Sequence, residues 1–438
     1  MKTTTLNKRI LALALPFLVA NISIPLLGLV DTAVLGHLES EKYLGAIALG
    51  GMIFNFLFWG FGFLKLGTTG FTAQSSGKND VSTISLVLKR GMILAVVLGL
   101  SVIALNKPIW MLAEVLLKGS DQVIGMASEY YYVRIFSAPA VFMLYVLLGW
   151  FLGMQNAVYV LYVTILENLA NVAFNLMFIY GFGMRAEGVA YGTVCAQYLA
   201  LIFAFSLLFM KYKKELIPHK LNILLKMSEL AAYFKVNANI MIRSVALTFA
   251  FAFFTVTSSS QNDLLLAANM ILLQFLLLFS YITDGFAHAG EALAGYYFGA
   301  KQKDILLTMI KKLFTWSLIL ALFFSLLYVV LFRGILGILT SQEAVIDMAL
   351  NFKWWLVAIP LISFAAFIWD GIYIGLTASV ALRNAMLLAL LAIYLPLYYL
   401  AEPYMGNAAL WLAMCAFMGS RGLFLWLFWP RLKKKLLF

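Results

Sequence analysis

The chain has 438 residues, of which 64% are hydrophobic and only 11% charged, and its mean hydropathy is +0.95. Soluble domains carry roughly twice that share of charge, so composition excludes an ordinary water-soluble fold and leaves a polytopic membrane protein. The formal net charge of +12 then reports membrane topology and contact with anionic lipid, and calls for no nucleic acid.

A helix needs about 20 apolar residues to cross a hydrocarbon core. Such runs occur at about 10–35, 44–74, 86–105, 127–152, 157–180 and 187–210, then at about 236–257, 264–298, 306–332, 344–375, 384–401 and 407–430. Twelve membrane helices are expected. The first run follows Lys8 and Arg9 but is too long for a signal peptide, and it is read as a retained helix 1. With the N-terminus placed inside, twenty-one Lys and Arg residues fall in inner loops against five in outer ones. Positive charge collects in loops that are not translocated, so both termini are expected to be cytoplasmic.

Reactive groups are sparse. Cys195 and Cys415 lie in apolar helices, where cysteine behaves as a small core residue. His37, His219 and His288 are far apart and form no H-E-x-x-H pattern. No phosphate-binding G-x-x-x-x-G-K-[ST] loop occurs, so ATP hydrolysis by this chain is not its energy source. No cofactor is expected.

The basic stretch "KYKKELIPHKLNILLKMSELAAYFK", Lys211 to Lys235, separates six helices from six. It divides the chain into a first lobe at 1–212, a linker at 213–235 and a second lobe at 236–438. The halves resemble each other. "ANISI" at Ala20–Ile24 matches "ANIMI" at Ala238–Ile242; Gly62, Phe63, Gly67 and Lys78 match Gly285, Phe286, Gly290 and Lys301; Pro139 and Gly153 match Pro360 and Gly375. All offsets lie between 218 and 223. Six helices per half give both halves one orientation, related by a pseudo-two-fold axis along the membrane normal, with a cavity expected between them.

Helix 1 contains "NISIPLLGLVDTAVLGHL", an apolar run carrying Asp31 with no basic residue beside it. An intramembrane carboxylate normally has a functional reason. Asp31 lies ten residues after Asn21, whereas ten residues after the matching Asn239 stands Phe249. The repeat scaffold therefore does not require the acid. Depth counting puts Asp31 level with Asn171 and Asn175 of helix 5 and with Thr193 of helix 6. Gln197 lies one turn below Thr193, and Glu167 lies one turn below Asn171 on the same helical stripe. A carboxylate paired to Lys or Arg stays ionised and carries protons poorly, whereas one held by neutral amides and hydroxyls can take and release a proton. Glu167 either extends a proton path or faces a wet cavity. Pro16 and Pro25 each remove a backbone N–H and obstruct the carbonyl four residues back, so helix 1 has bending points at Ala12 and Asn21.

Helix 8 carries its own polar stripe, Asp284, His288 and Glu291. Lys65 of helix 2 aligns opposite His288 in the repeat, and it is read first as one end of an ion pair across the halves, second as part of a substrate or ion site. Asp370 of helix 10 is expected near the inner end, with solvent or Arg383 as partner, and Arg243 of helix 7 requires an acid. The many aromatic and Met side chains suit flat, apolar, cationic cargo.

"LPFLVANISIPLLGLVDTAVLGHL" in helix 1 and "DGFAHAGEALAGYYFGAKQ" in helix 8 resemble the MATE family, the multidrug and toxic compound extrusion transporters, and within it the DinF-like branch. The resemblance implies an all-α integral membrane fold of twelve helices in two six-helix bundles arranged as a V. It also implies cation-coupled efflux of organic, often cationic, compounds across a bacterial cytoplasmic membrane. By the resemblance Asp31 is the coupling carboxylate, Asn171 and Thr193 are its hydrogen-bonding neighbours, and Pro16 is the bend of helix 1. Some related transporters carry an aspartate where Asn175 stands here. Its loss weakens a Na⁺ site made of two carboxylates and favours a proton. The expectation is a monomeric proton-coupled drug antiporter, not an enzyme, whose partners are small organic substrates and membrane lipid. A Na⁺-coupled antiporter of the same fold and a flippase for lipid or polyprenyl-linked substrates are the alternatives.

Overall fold

The computed structural model describes residues 3–35, 41–117, 120–224 and 226–437; within these a few side chains are not described, among them residues 24–35, so the side chains of Pro25 and Asp31 lie outside the described residues. Among the described residues the chain is helical, with no strand. Twelve of the described helices are long and apolar enough to cross a bilayer. They are α1 (Thr3–Leu35), α2 (Gly45–Gly77), α3 (Val81–Ala104), α4 (Asp121–Gly153), α5 (Ala157–Gly181) and α6 (Ala186–Glu215). Then follow α7 (Glu229–Ser259), α8 (Asp263–Gly299), α9 (Lys303–Leu339), α10 (Lys353–Gly375), α11 (Ser379–Met405) and α12 (Asn407–Lys435). Two details differ from the sequence expectation. The run at 344–375 is two helices, Glu343–Leu350 and Lys353–Gly375, and the expected loop after α3 holds a short helix, Asn106–Leu116, whose Met111, Leu112 and Val115 are exposed.

The chain forms two compact units, Val19–Phe234 and a second made of Met1–Leu18 with Lys235–Phe438. The changeover falls inside α1, just after Pro16, although α1 is one continuous helix from Thr3 to Leu35. The division thus differs from a first lobe that begins at residue 1. In the second unit the opening segment of α1 lies against α8. Arg9 donates to the Tyr297 hydroxyl at 2.9 Å, and Phe17 packs on the His288 ring with centroids 4.7 Å apart. A Cβ on Gly285 would come within 2.9 Å of the Ala14 carbonyl, so only glycine admits so close a crossing. In the first unit the connection after α6 is fastened to α3: the Ile217 carbonyl accepts from Ser85 Oγ at 3.1 Å and from Lys89 Nζ at 2.5 Å, and Arg90 reaches the Leu224 carbonyl at 3.1 Å.

Within each unit the same device joins the second helix of the repeat to the fourth. A Cβ on Gly149 of α4 would collide with the Lys65 carbonyl of α2, and one on Gly371 of α10 with the Ala287 carbonyl of α8; Gly153 and Gly375 repeat this a turn further on. Backbone approach of that kind is how helices pack tightly where the surrounding lipid offers no hydrophobic driving force. Among the described residues, the four non-glycine residues with positive φ also pair by repeat: Asn79 (55°) with Lys301 (57°), and Gln155 (58°) with Thr377 (53°). Each follows the end of its helix, where a left-handed residue ends the hydrogen-bond ladder. This register places Lys65 opposite Ala287, one residue from the His288 that the sequence alignment chose. The fourth helix of each half is also well enclosed: 78% of the apolar window of α4 and 67% of that of α10 is buried, the latter share matched by α12.

Candidate functional site

The polar residues foreseen on α5 and α6 meet. Asn171 donates from Nδ2 to Thr193 Oγ1 at 3.0 Å, Thr193 donates to the Val189 carbonyl at 2.9 Å, and Asn175 donates to Asn171 Oδ1 at 3.2 Å. Spacing of four on α5 makes this ladder, because residues one turn apart share a face. Gly192 lets α6 lie against Asn175, since a Cβ there would strike the Asn175 side chain. Both asparagines are buried. One turn below, Glu167 accepts from Gln197, and Arg134 and Tyr145 of α4 lie within its electrostatic reach. Arg134 itself donates to the Tyr130 hydroxyl and sits 5.1 Å over the Phe54 ring. The stripe therefore has two rungs of different character: an upper one of neutral amides and a hydroxyl, and a lower one that includes an acid with a guanidinium nearby.

Sequence reasoning missed the residue that ties this ladder to α1. Asn168 donates to Ser23 Oγ at 2.7 Å, and Ser23 in turn donates to the Ala20 carbonyl at 2.6 Å. Asn168, Asn171 and Asn175 stand at spacing three then four, the pattern of one helical face. That signal was present in the sequence but was masked by the alternative stripe that starts at Glu167.

The second unit places its charges differently. Asp370 of α10 is held through one oxygen by two arginines: Arg243 of α7, and Arg421 of α12 at 2.6 Å. Arg421 is 2% exposed and went unnoticed in the sequence, where it is a lone base in an apolar run and belongs to no loop. Arg243 thus finds its acid. Arg383, the expected partner of Asp370, donates instead to Asn239 Oδ1 at 2.8 Å and to Asn384 at 2.8 Å. Arg421 and Arg243 reach Asp370 from two other helices, while Arg383 near the start of α11 faces the polar end of α7. The helix 8 stripe also divides. His288 Nδ1 and Glu291 Oε2 are 3.1 Å apart, with Glu291 buried, whereas Asp284 lies within electrostatic reach of Arg421. Lys65 sits in α2, where its carbonyl accepts from Thr69 Oγ1 at 2.9 Å. Pro16 lies in the part of α1 that belongs to the second unit.

Comparison with known proteins gives a consistent result. The MatE family matches residues 16–177 and residues 240–400, one stretch in each repeat. DNA damage-inducible protein F of Escherichia coli (strain K12) is 34% identical over 428 residues, covering 98% of this chain and 93% of that one. Multidrug export protein MepA of Staphylococcus aureus (strain NCTC 8325 / PS 47) is 22% identical over 420 residues, covering 93% and 90%. Among solved structures, the Vibrio cholerae MATE transporter VcmN in the bent form superposes with a TM-score of 0.86 at 19% identity, covering 99% of this chain and 98% of that one.

Proposed function

We propose a proton-for-drug exchange for this chain, which belongs to the MatE family of transporters. As a member it is a multi-pass secondary transporter of the multidrug efflux class, not an enzyme. The finer reading is that Asp31 takes a proton from outside, that α1 then bends near Pro16, and that a bound organic cation is displaced outward. Release of the proton inside resets α1. The protein would work as a monomer in a bacterial cytoplasmic membrane with both termini inside, in contact with anionic lipid, and with no cofactor. Coupling to Na⁺ in place of the proton, or movement of lipid-linked cargo, are the other uses the same fold would allow.

One observation carries this reading: the amide and hydroxyl ladder of Asn175, Asn171 and Thr193, anchored to α1 through Asn168 and Ser23. α1 and α5 are both odd-numbered spans and run the same way across the bilayer. Asn175 follows Asn168 by seven residues and Asp31 follows Ser23 by eight. At 1.5 Å of rise per residue, the two advances come to about 10.5 and about 12 Å, a difference of one residue that supports a shared level for Asp31 and Asn175. At that level the ladder supplies neutral partners and no fixed positive charge, the setting in which a carboxylate can change its protonation state. The changeover between units inside α1, just after Pro16, supports that segment as the moving part, because proline leaves the carbonyl of Ala12 without its helical donor.

Vesicles given pH and Na⁺ gradients separately, with export of a fluorescent organic cation as readout, test the reading. The expected result is export driven by the pH gradient alone and abolished in Asp31→Asn. Undiminished pH-driven export by that variant would remove Asp31 from the mechanism, and export driven by Na⁺ at fixed pH would replace the proton.

A further inference from the structure

The charge cluster of the second unit has more donors than its protein surroundings satisfy. Two guanidiniums carry about ten N–H groups between them. Arg243 donates from Nη2 to Asp370, and its buried Nε meets no acceptor among the described residues. Arg421 donates from Nη2 to the same Asp370 oxygen at 2.6 Å and from Nη1 to Met418 sulfur, a weak acceptor, at 3.3 Å, and its Nε is likewise buried without an acceptor. Asp284 of α8 reaches the cluster through its field. The Phe367 and Phe417 rings cover Arg421, at 5.9 and 5.7 Å from its central carbon.

The repeat scaffold does not call for this cluster. Asp370 precedes Gly371 as Leu148 precedes Gly149, and those two glycines make the same helix crossing in the two halves. The first half builds that crossing with leucine where the second places an acid and brings two arginines to it. Charges inside a membrane protein that the fold can do without point to use. Because a lone carboxylate oxygen engages both arginines, neither makes the two-pronged pair that guanidinium geometry favours.

We propose that Arg243 and Arg421 form a binding site for the anionic head of an amphipathic molecule, a carboxylate or a phosphate, whose oxygens share the guanidiniums with Asp370. Arg421 is the enclosed half of the site, and Arg243, with a side chain 12% exposed, is the half a ligand reaches first. The flanking phenylalanines receive the apolar part next to the head. An anionic head enters here without disturbing the neutral ladder of the first unit, so the transporter would hold acids and cations at separate places. The proposal does not rest on proton coupling at Asp31.

The test is equilibrium binding of a fluorescent dansyl-undecanoic acid to the full-length protein in phosphatidylcholine nanodiscs, with the matching primary amide as the uncharged probe. Arg243→Met leaves Asp370 paired one-to-one with Arg421, so the variant retains a balanced buried pair. The acid is expected to bind more tightly than the amide, and Arg243→Met to weaken the acid by about tenfold or more, the loss of a charge-assisted hydrogen bond, while leaving the amide unchanged. Arg243→Lys, which keeps the charge without the fork, is expected to fall between, and it decides the matter if Arg243→Met does not fold. Phosphatidylglycerol added to the nanodiscs identifies the source: competition with the acid assigns the head to lipid, and absence of competition assigns it to cargo. Equal binding of acid and amide by the unaltered protein, or acid binding that survives both substitutions, would overturn the site.

Discussion

The two halves of this transporter share a scaffold and use it in opposite ways. In the first unit, the face of α5 and α6 carries Asn171, Asn175 and Thr193, neutral groups that hydrogen-bond one another in sequence. In the second, α7, α10 and α12 bring Arg243, Asp370 and Arg421 into one buried ion cluster. Neutral ladders rearrange at modest cost, because each bond is worth about 1 kcal/mol net. A buried ion cluster does not, since parting its members leaves a charge uncompensated in a low-dielectric interior. The lesson is that an internal repeat fixes helix packing while leaving the polar chemistry of each copy free. One half can then host a group that changes charge and the other a group that stays charged.

The largest expected effect tests the fixed character of the second half. Asp370→Asn leaves two buried guanidiniums without their acid and is expected to cost about 3–5 kcal/mol, read as a marked fall in thermal melting in detergent. Replacing Asp370, Arg243 and Arg421 together by leucine is expected to restore most of that loss, because well-packed apolar residues substitute for a buried ion cluster at little cost. A triple variant as unstable as the single one would break the contrast, since the cluster would then be part of the scaffold.

Next come the glycine crossings, which the contrast requires to be equivalent. Gly149→Ala and Gly371→Ala each push a Cβ into a carbonyl of the facing helix, and each is expected to lower stability by about 1–3 kcal/mol in the same melting assay. A variant tolerated in one half only would mean that the shared register is not shared in energy. A comparable or smaller effect is expected of Asn171→Ala, which removes the donor to Thr193 and the acceptor of Asn175, at about 1–2 kcal/mol. Its sharper readout is the pH profile of cation export, which should move while Arg243→Met leaves it in place.

The smallest effect concerns the starts of α3 and α9, which also correspond by repeat. Asp80 caps α3, accepting from the Thr83 amide at 3.0 Å and from its hydroxyl at 2.5 Å, and these bonds hold its carboxyl below the ordinary carboxylate range. Gln302 stands at the start of α9 and makes no side-chain cap. Asp80→Ala should cost about 1 kcal/mol, and Gln302→Asp should add a few tenths to 1 kcal/mol. Because the folded carboxyl titrates below its unfolded value, its contribution is complete above the ordinary carboxylate pKa and fades as pH falls through the lowered one. The difference in melting temperature between the chain and Asp80→Ala should therefore shrink on acidification.

Much of this molecule is written in its sequence. Hydropathy alone marks twelve spans, because a bilayer accepts only segments that satisfy their own backbone, and offsets near 222 between matching glycines expose the repeat. The stripe of Asn171 and Asn175 is equally legible, since a spacing of four on one helix needs no knowledge of neighbours, and Thr193 follows from counting depth. Arg421 and Asn168 are different. Nothing in a single apolar run says which of three distant helices its one arginine will face, or that an asparagine turned slightly off a stripe will meet a serine on α1. The division of α1 between two compact units, just after Pro16, is hidden in the same way, because proline marks where a helix can yield but not what holds either side of it. Periodicity and hydropathy are local, and they fixed the spans, the repeat and the ladder; pairing across helices depends on distances between segments remote in sequence, and only the tertiary structure decided that Asp370 would be shared by two arginines.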